Sequence, residues 1–507
     1  MPNRTLAAAA LLTLALAPAT VQADTYTVRL DPSVATANQS GRLILFFATE
    51  SLPQQRRVQP IQAPFFSKPQ PIASMDVEDW KPGTTITIEN PTIVWPGPLE
   101  DIEGEVRVQA LLDVDNTERS HRAGPGNLVS DMMTIKLTRE LDESISLNLT
   151  ERLEPEELPE NTDRLHWLTM KSPTLSSFAG HDVYHRAGLI LPADFEEDPK
   201  RTWPAVYHIP GYGGRHTMAS YYVRAADNLP PAVHIFLDAE APLGHHGFVD
   251  SANNGPRATA FIEEFIPYLE RSYRLRAEAK ARIVTGHSSG GWSSLWLQLK
   301  YPDTFGACWS SAPDPVCFTE FGVVNIYDDA NMFANGDGEK HPSMRRTYRD
   351  GRSLVRMTIE EENGMEWAIQ PDGASGQQWD AWEAMFSPRN PKTNLPKPLY
   401  DPRTGVIDKD VANAWKPFDI HLLVRENWDQ YGPIMAKRVR LVCGDVDSFY
   451  LERAVKELKA TFDARRGDMA GDGYIELIPG ADHGGAAAQS RQRFRDEMTA
   501  YLEGIDE

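Results

Sequence analysis

The segment ARIVTGHSSGGWSSLWLQLKY, residues 281–301, runs from a β-branched strand pattern into a glycine-bracketed turn and on into a helical pattern. A strand that turns directly into a helix belongs to an alternating β/α sheet, in which the helix packs back across the strands. The turn reads Gly286-His287-Ser288-Ser289-Gly290. Ser288 must take a strained backbone conformation there to lift its hydroxyl above the sheet, and Gly286 and Gly290 let strand and helix pass without a side-chain clash. Centring the pattern on Ser289 fails, because His287 would then occupy the first glycine position. The N-terminus of the helix points partial positive charge at the place where an oxyanion would form.

The flanking sequence fits that sheet. AVYHIP (205–210), AVHIFLDA (232–239), GACWSSA (306–312), RVRLVCG (438–444) and YIELIPG (474–480) are short apolar segments, with helical patterns such as 257–273 and 451–466 between some of them. Such alternation predicts a mostly parallel sheet with helices on both faces over residues 165–507. Residues 320–435 break the rhythm with a stretch rich in Pro, Asn, Gly, Asp and Trp, which reads as an inserted cap. Residues 24–153 instead show period-two patterns such as YTVRL, RLILFFAT and EVRVQALLDV between turn residues, which predicts an all-β, sandwich-like domain. The acidic, proline-bearing stretch 154–164 reads as the linker between the two.

Residues 1–23 carry one Arg, an apolar run from Leu6 to Ala17, and Val-Gln-Ala before Asp24. That is the pattern of a signal peptide cleaved after Ala23, and it predicts a secreted or periplasmic protein. The run is too short to span a bilayer comfortably. With 51 basic and 72 acidic residues the formal charge is −21. Such a chain repels nucleic acid and anionic lipid, so neither is an expected partner. The three cysteines cannot form a disulfide framework, although Cys308 and Cys317 are close enough in sequence to pair in an oxidising compartment. Cys443 reads as a small buried side chain in an apolar strand.

A serine hydroxyl needs a base to take its proton. On an alternating sheet the partners follow in the order Ser, acid, His. After Asp447 the chain holds one histidine, His483, in PGADHGGA just beyond the strand-like YIELIPG. The preceding strand RVRLVCG leads into Asp445 and Asp447; the Gly444-x-x-Asp447 spacing favours Asp447, with Asp445 as a turn residue. The oxyanion hole would use the N–H of Ser289 and a donor from the loop HIPGYGGRH (208–216), with Tyr212 preferred and Gly211 or Gly213 as alternatives.

With these residues in place, the region from about 165 to 505 resembles the "Putative esterase" group of α/β-hydrolases, which includes esterase D, feruloyl and acetyl-xylan esterases and enterochelin esterases. The matching pieces are VYHIPGYGG, GHSSGGWSSL, CGDVDSFYL and GADHGG. The resemblance implies an α/β-hydrolase fold, a Ser288–His483–Asp447 triad, and an oxyanion hole at Tyr212 and Ser289. Pro210-Gly211 stands where many relatives have His-Gly, and neither residues 320–435 nor the N-terminal domain is covered by it.

The implied activity is that of a secreted serine carboxylic-ester hydrolase acting on a small-molecule or polysaccharide-linked ester, with feruloyl and acetyl esters as candidates. It needs no cofactor and no metal. GHHGFVDSANNGP (244–256) offers His245 and His246 as substrate contacts, and Trp382, one of five tryptophans in the insertion, offers an aromatic face. The loop 328–339 superficially suggests calcium but lacks the oxygen ligands and turn glycine of an EF-hand. Two other readings compete: a serine peptidase on the same fold, and a binding protein on an inactive hydrolase scaffold.

Overall fold

The computed structural model describes residues 25–49, 59–62, 70–88, 93–115, 117, 118, 120, 121, 124–137 and 144–505. The expected signal peptide, 1–23, lies outside them.

Eight strands form the sheet of the C-terminal region. Their spatial order is Leu165–Lys171, Tyr184–Ile190, Val233–Leu237, Ala205–Ile209, Arg282–His287, Ala307–Ser311, Val439–Gly444 and Tyr474–Ile478. The first two pair antiparallel and the remaining six are mutually parallel. The parallel strands read as continuous apolar runs because both faces are covered. Val233–Leu237 and Val439–Gly444 are buried at every residue. Helices Ser289–Lys300, Trp428–Arg438, Leu451–Arg466 and His483–Gly504 contact these strands. This architecture is that of an α/β-hydrolase.

Residues 320–435 do not stand apart from this core. Their Trp379, Trp382, Phe386, Trp415 and Ile420 join the same buried cluster as the sheet strands and the helix Ser289–Lys300. Trp379 and Trp382 pack edge to face with ring centroids 5.0 Å apart, and Trp415 packs edge-on against Phe318, Phe321 and Phe386. Burial of these aromatic faces attaches this stretch to the sheet.

The N-terminal region differs from the expected pair of stacked sheets. Among the described residues, its nine strands are hydrogen-bonded into one sheet. The strand Gly104–Asp113 joins the two flanks: Gln39–Ala48 lies on one side, and on the other its two halves pair with Met133–Leu137 and Leu128–Ser130. Strands Thr85–Ile88 and Ile93–Trp95 end the order at opposite edges, yet Ile88 and Ile93 are joined by a short stretch that can span at most about 18 Å. A flat sheet with eight strand positions across would be roughly 34 Å wide. The sheet therefore curls around its own core, in which alternating residues such as Val28, Leu45, Val108 and Leu147 meet.

One patch of the outer face of this sheet is covered as well. Ile44, Phe46, Ile72, Leu111 and Val129 pack against Met365, Ala368 and Ile369 of the insertion helix Ile359–Ile369. The Ser74 hydroxyl donates to the Ala368 carbonyl at 2.5 Å. Glu118 of the β domain also accepts from Arg215 at 2.9 Å and Arg186 at 3.3 Å. Residues 154–163, between the two regions, are exposed and carry no regular structure.

The cysteines do not pair. Cys308, Cys317 and Cys443 are all free and buried. Cys308 sits within the fully buried strand Ala307–Ser311, whereas Cys317 turns to Thr319 Oγ1 at 3.0 Å and His421 Nδ1 at 3.1 Å. Proximity in sequence was the only argument for a disulfide, and the strand end separates the two thiols.

Candidate active site

The site lies at the carboxyl ends of the parallel strands, where an open α/β sheet leaves a crevice. Ser288 sits between the strand Arg282–His287 and the helix Ser289–Lys300 with φ 60° and ψ −127°. A non-glycine residue adopts such a conformation only when its surroundings impose it. Here the Ser288 N–H donates to the Ser311 carbonyl at 3.0 Å, and its own carbonyl accepts from Trp292 N at 3.0 Å and Asp314 N at 3.2 Å. The flanking glycines are required by space. A Cβ on Gly286 would fall 2.2 Å from the Gly290 carbonyl oxygen, and one on Gly290 would fall 2.1 Å from that of Ile209.

The strand Val439–Gly444 delivers Asp445 and Asp447, and their roles separate. Asp445 Oδ1 accepts from Gly480 N at 2.7 Å, tying two strand-end loops together. Asp447 is fully buried; its Oδ1 accepts from Phe449 N at 2.9 Å, and its Oδ2 lies 2.8 Å from His483 Nδ1. His483 opens the last helix, which Asp482 caps through Gly485 N at 2.8 Å. Its ring is held between His287, 4.4 Å away, and Phe449, edge-on at 4.9 Å. Burial alone would depress the imidazole pKa. The charge and hydrogen bond of Asp447, with smaller contributions from Asp314 and Asp482, reverse this and raise it above its ordinary value. With Nδ1 committed to Asp447, Nε2 is the nitrogen left to act on a substrate or a serine.

Ser288 and His483 line one cavity of about 290 Å³, together with Gly211, Tyr212, Trp382 and Phe449. Gly211 is needed for close approach, since a Cβ there would meet the His287 carbonyl at 3.0 Å. The Tyr212 hydroxyl donates to Gln377 Oε1 at 2.6 Å, so the loop after strand Ala205–Ile209 is fastened to the insertion. The Ser289 N–H opens a helix and has no carbonyl one turn back to receive it.

Two expectations need correction. His245 and His246 do not line this cavity. Both are buried, because the segment folds into a tight hairpin pairing 240–241 with 244–245. His245 places Nε2 2.9 Å from the Pro210 carbonyl and accepts from Gly247 N at 3.1 Å, bracing the loop that carries Tyr212. His246 accepts from Phe248 N at 3.2 Å. Trp382, by contrast, does line the cavity.

Sequence reasoning missed Asp314, which follows the strand Ala307–Ser311 and is 5% exposed. Its Oδ2 accepts from Ser289 Oγ at 2.7 Å and from Trp382 Nε1 at 2.9 Å. Its Oδ1 lies 3.5 Å from Ser288 Oγ, longer than a good O–H···O bond. Burial pushes its pKa up, against those hydrogen bonds and the nearby His245 and His483. Asp314 thus links the elbow to the insertion. The available signal was its place just beyond a strand's carboxyl end, in SSAPDP.

With this geometry in view, comparison with known proteins is direct. The family described as "Putative esterase" matches residues 185–505, well over half of the chain. The chain belongs to this family. Two curated relatives, Esterase MT1326 and Esterase Rv1288 of Mycobacterium tuberculosis, are each 27% identical over 173 residues, 32% of this chain. The match spans 36%, about a third, of each relative's length. Among solved structures, a ferulic acid esterase is similar at 14% identity and TM-score 0.40, covering 67% of this chain and 99% of that one. An S-formylglutathione hydrolase from Agrobacterium tumefaciens is similar at 14% identity and TM-score 0.37, covering 68% and 97%.

This member of the esterase family shows, among the described residues, no group of three or more His, Cys, Asp or Glu side chains able to hold a metal ion. None of its described helices is long and apolar enough to cross a membrane.

Proposed function

We propose that the protein is a serine carboxylic-ester hydrolase working through Ser288, His483 and Asp447. Ser288 Oγ attacks the ester carbonyl carbon while His483 Nε2 takes its proton. Asp447 holds the imidazole tautomer and stabilises the imidazolium. The oxyanion is received by the N–H of Ser289 and an N–H of the 211–213 loop, with Tyr212 preferred. Collapse expels the alcohol, which takes its proton from His483. Water, activated by the same base, then frees the acid from Ser288. The observation that carries this reading is that the strained Ser288 and a His483 held by Asp447 at 2.8 Å line one cavity.

The aromatic wall of Trp379, Trp382 and Phe449 suits an aromatic or sugar-linked ester, such as a feruloyl or acetyl ester of carbohydrate. The amino-terminal pattern supports export to the periplasm or beyond, with residues 1–23 removed. An amino-terminus at Asp24 in protein recovered from the exported fraction would agree with this, whereas Met1 retained on that protein would refute it.

The deciding experiment is intact mass after treatment with a fluorophosphonate, which phosphonylates activated serines. One adduct on the wild type and none on Ser288→Ala is the expected result. Absence of an adduct together with no cleavage of acetyl, feruloyl and short-chain esters would overturn the reading.

A further inference from the structure

Within residues 320–435, the strand Pro342–Thr347 pairs antiparallel with Ser353–Thr358 to form a ribbon. Its base, Pro342 and Ser343, lines the cavity that holds Ser288 and His483. Two residues beyond Ser343, Arg345 meets the loop 445–450, which carries Asp447 between the strand Val439–Gly444 and the helix Leu451–Arg466.

Arg345 holds that loop and the start of its helix at several points. Its backbone N–H donates to the Ser448 carbonyl at 2.8 Å. Its Nε donates to the Asp447 carbonyl at 2.9 Å, and its Nη2 pairs with Glu452 Oε1 at 2.6 Å. Its guanidinium lies over the Tyr450 ring, 4.3 Å from the centroid. The ion pair is largely withdrawn from water, with the Arg345 side chain 15% exposed and that of Glu452 5%.

The loop needs such support. Tyr450 takes a left-handed conformation, φ 63° and ψ 19°, which is uncommon for a residue with a side chain. The loop's own bond from Tyr450 N to the Asp447 carbonyl is long, at 3.3 Å. Residues before Asp447 are tied to the neighbouring strand end: Asp445 N donates to the Ile478 carbonyl at 3.1 Å and Val446 N to that of Ala481 at 3.3 Å. Arg345 holds Asp447 itself and residues after it. A guanidinium suits the task, because its planar fork serves two acceptors in fixed directions where an ammonium is a single point charge. Its charge is needed too. Burial, and to a smaller degree the charge of Asp447, raises the Glu452 pKa, and Arg345 opposes both.

We propose that Arg345 is a positioning residue that fixes the backbone of Asp447, and through it the 2.8 Å contact between Asp447 and His483. This rests on the esterase reading above and deepens it: the geometry of the triad depends on a residue from the stretch 320–435. Arg345 does not line the cavity, so its effect passes through Asp447.

The test is steady-state kinetics on one ester for Arg345→Met, Arg345→Lys and Asp447→Asn, and for Arg345→Met combined with Asp447→Asn. A displaced Asp447 should lower kcat of Arg345→Met by about ten- to hundredfold, with KM changing much less. Arg345→Lys keeps a charge beside Glu452 but not the fork, and should recover part of that loss. In the Asp447→Asn background, Arg345→Met should lower the residual kcat by less than about threefold, because the contact it serves is already lost. Equal losses in the two backgrounds overturn the proposal, as does an unchanged kcat, or a loss carried by KM, which would make Arg345 a support of the cavity wall. If Arg345→Met does not fold, Arg345→Lys and Glu452→Gln carry the same comparison against Asp447→Asn. If the wild type cleaves no ester and takes no fluorophosphonate adduct, the esterase reading itself falls. If the wild type is active and the Arg345 variants match it, only the positioning role falls.

Discussion

The elbow at Ser288 and the helix Ile359–Ile369 are walls of the same cavity, but they are held by different means. At the elbow, backbone touches backbone: Gly290 abuts the carbonyls of Ile209 and Pro210. Along the helix, side chain touches side chain. Its first turns offer Ile359 and Glu362 to the cavity, while Met365, Ala368 and Ile369 rest on the outer face of the β domain. Its start is fixed by a capping box, in which Thr358 accepts from Glu361 N and the Glu361 carboxylate receives the Thr358 N–H. Groups that must meet a reacting carbonyl are set by backbone, which tolerates little change. The cavity-lining residues of the helix are set by side-chain packing against the β domain, which can be adjusted more readily than backbone contacts.

The largest expected effect separates two neighbouring carboxylates at the carboxyl ends of the strands. Asp447→Asn should lower kcat about 10³–10⁴-fold, because the wrong imidazole tautomer is then held. Asp445→Asn should stay within about tenfold, because Asp445 contacts the Gly480 N–H and not His483. Steady-state kinetics on one ester suffice. Equal losses would mean that the loop joining the two strand ends, and not the His483 contact, is what matters.

The next contrast concerns two glycines. Gly290→Ala puts a Cβ 2.1 Å from a carbonyl oxygen that cannot yield without moving the strand Ala205–Ile209. It should cost about 3 kcal/mol or more and abolish the fluorophosphonate adduct. Gly364→Ala puts a Cβ 2.2 Å from the Trp95 indole nitrogen, a side-chain atom at the domain contact that can swing aside. Alanine's helix preference returns up to about 1 kcal/mol, so the net loss should be about 1 kcal/mol. Denaturant unfolding measures both, and KM should move more than kcat in the second variant. If Gly364→Ala lost the adduct, the proposed division between the two walls would fail.

Legibility followed the same division. Gly286, Ser288 and Gly290 were readable because local sterics dictate them: the turn cannot form with other residues. His483 and Asp447 were readable because chain order on a parallel sheet restricts where partners can lie. The alternation of apolar strands and helices gave the α/β sheet for the same reason, since both its faces are buried. The β domain was readable as strands but not as one curled sheet, because pairing partners depend on contacts such as those of Gly104–Asp113 with three other strands. His245 and His246 were misplaced because a tight hairpin, not the polarity of the segment, decides which way the rings turn. Asp314 and Arg345 carry no local pattern. They matter only through residues distant in sequence, such as Trp382 beside Asp314, and tertiary packing alone brings these together.

A smaller effect should follow from Trp382→Phe. The ring still fills its place against Phe321 and Trp379, but Asp314 Oδ2 loses one of its two donors. A buried acceptor deprived of one donor costs about 1–2 kcal/mol. Stability should fall by that amount, and kcat by less than about tenfold. A fall like that of Ser288→Ala would place the indole N–H among the groups that touch the reacting atoms.

The smallest expected change is a displacement along the pH axis. In the proposed mechanism His483 is neutral at Nε2 when it takes the Ser288 proton, so kcat/KM should fall as pH drops through the imidazole pKa. Burial lowers that pKa, and Asp447 more than restores it, so the midpoint should lie above the ordinary histidine value of about 6.5. In the residual activity of Asp447→Asn, burial acts without the opposing carboxylate, and the midpoint should move down. Asp314→Asn should move it down as well, but by less. Asp314 acts on His483 only through space, and its contribution is smaller than those of Asp447. The two variants therefore rank the carboxylates around one imidazole. A larger shift from Asp314→Asn than from Asp447→Asn would reverse that ranking, and would make the acid that links the elbow to the insertion the dominant partner of His483.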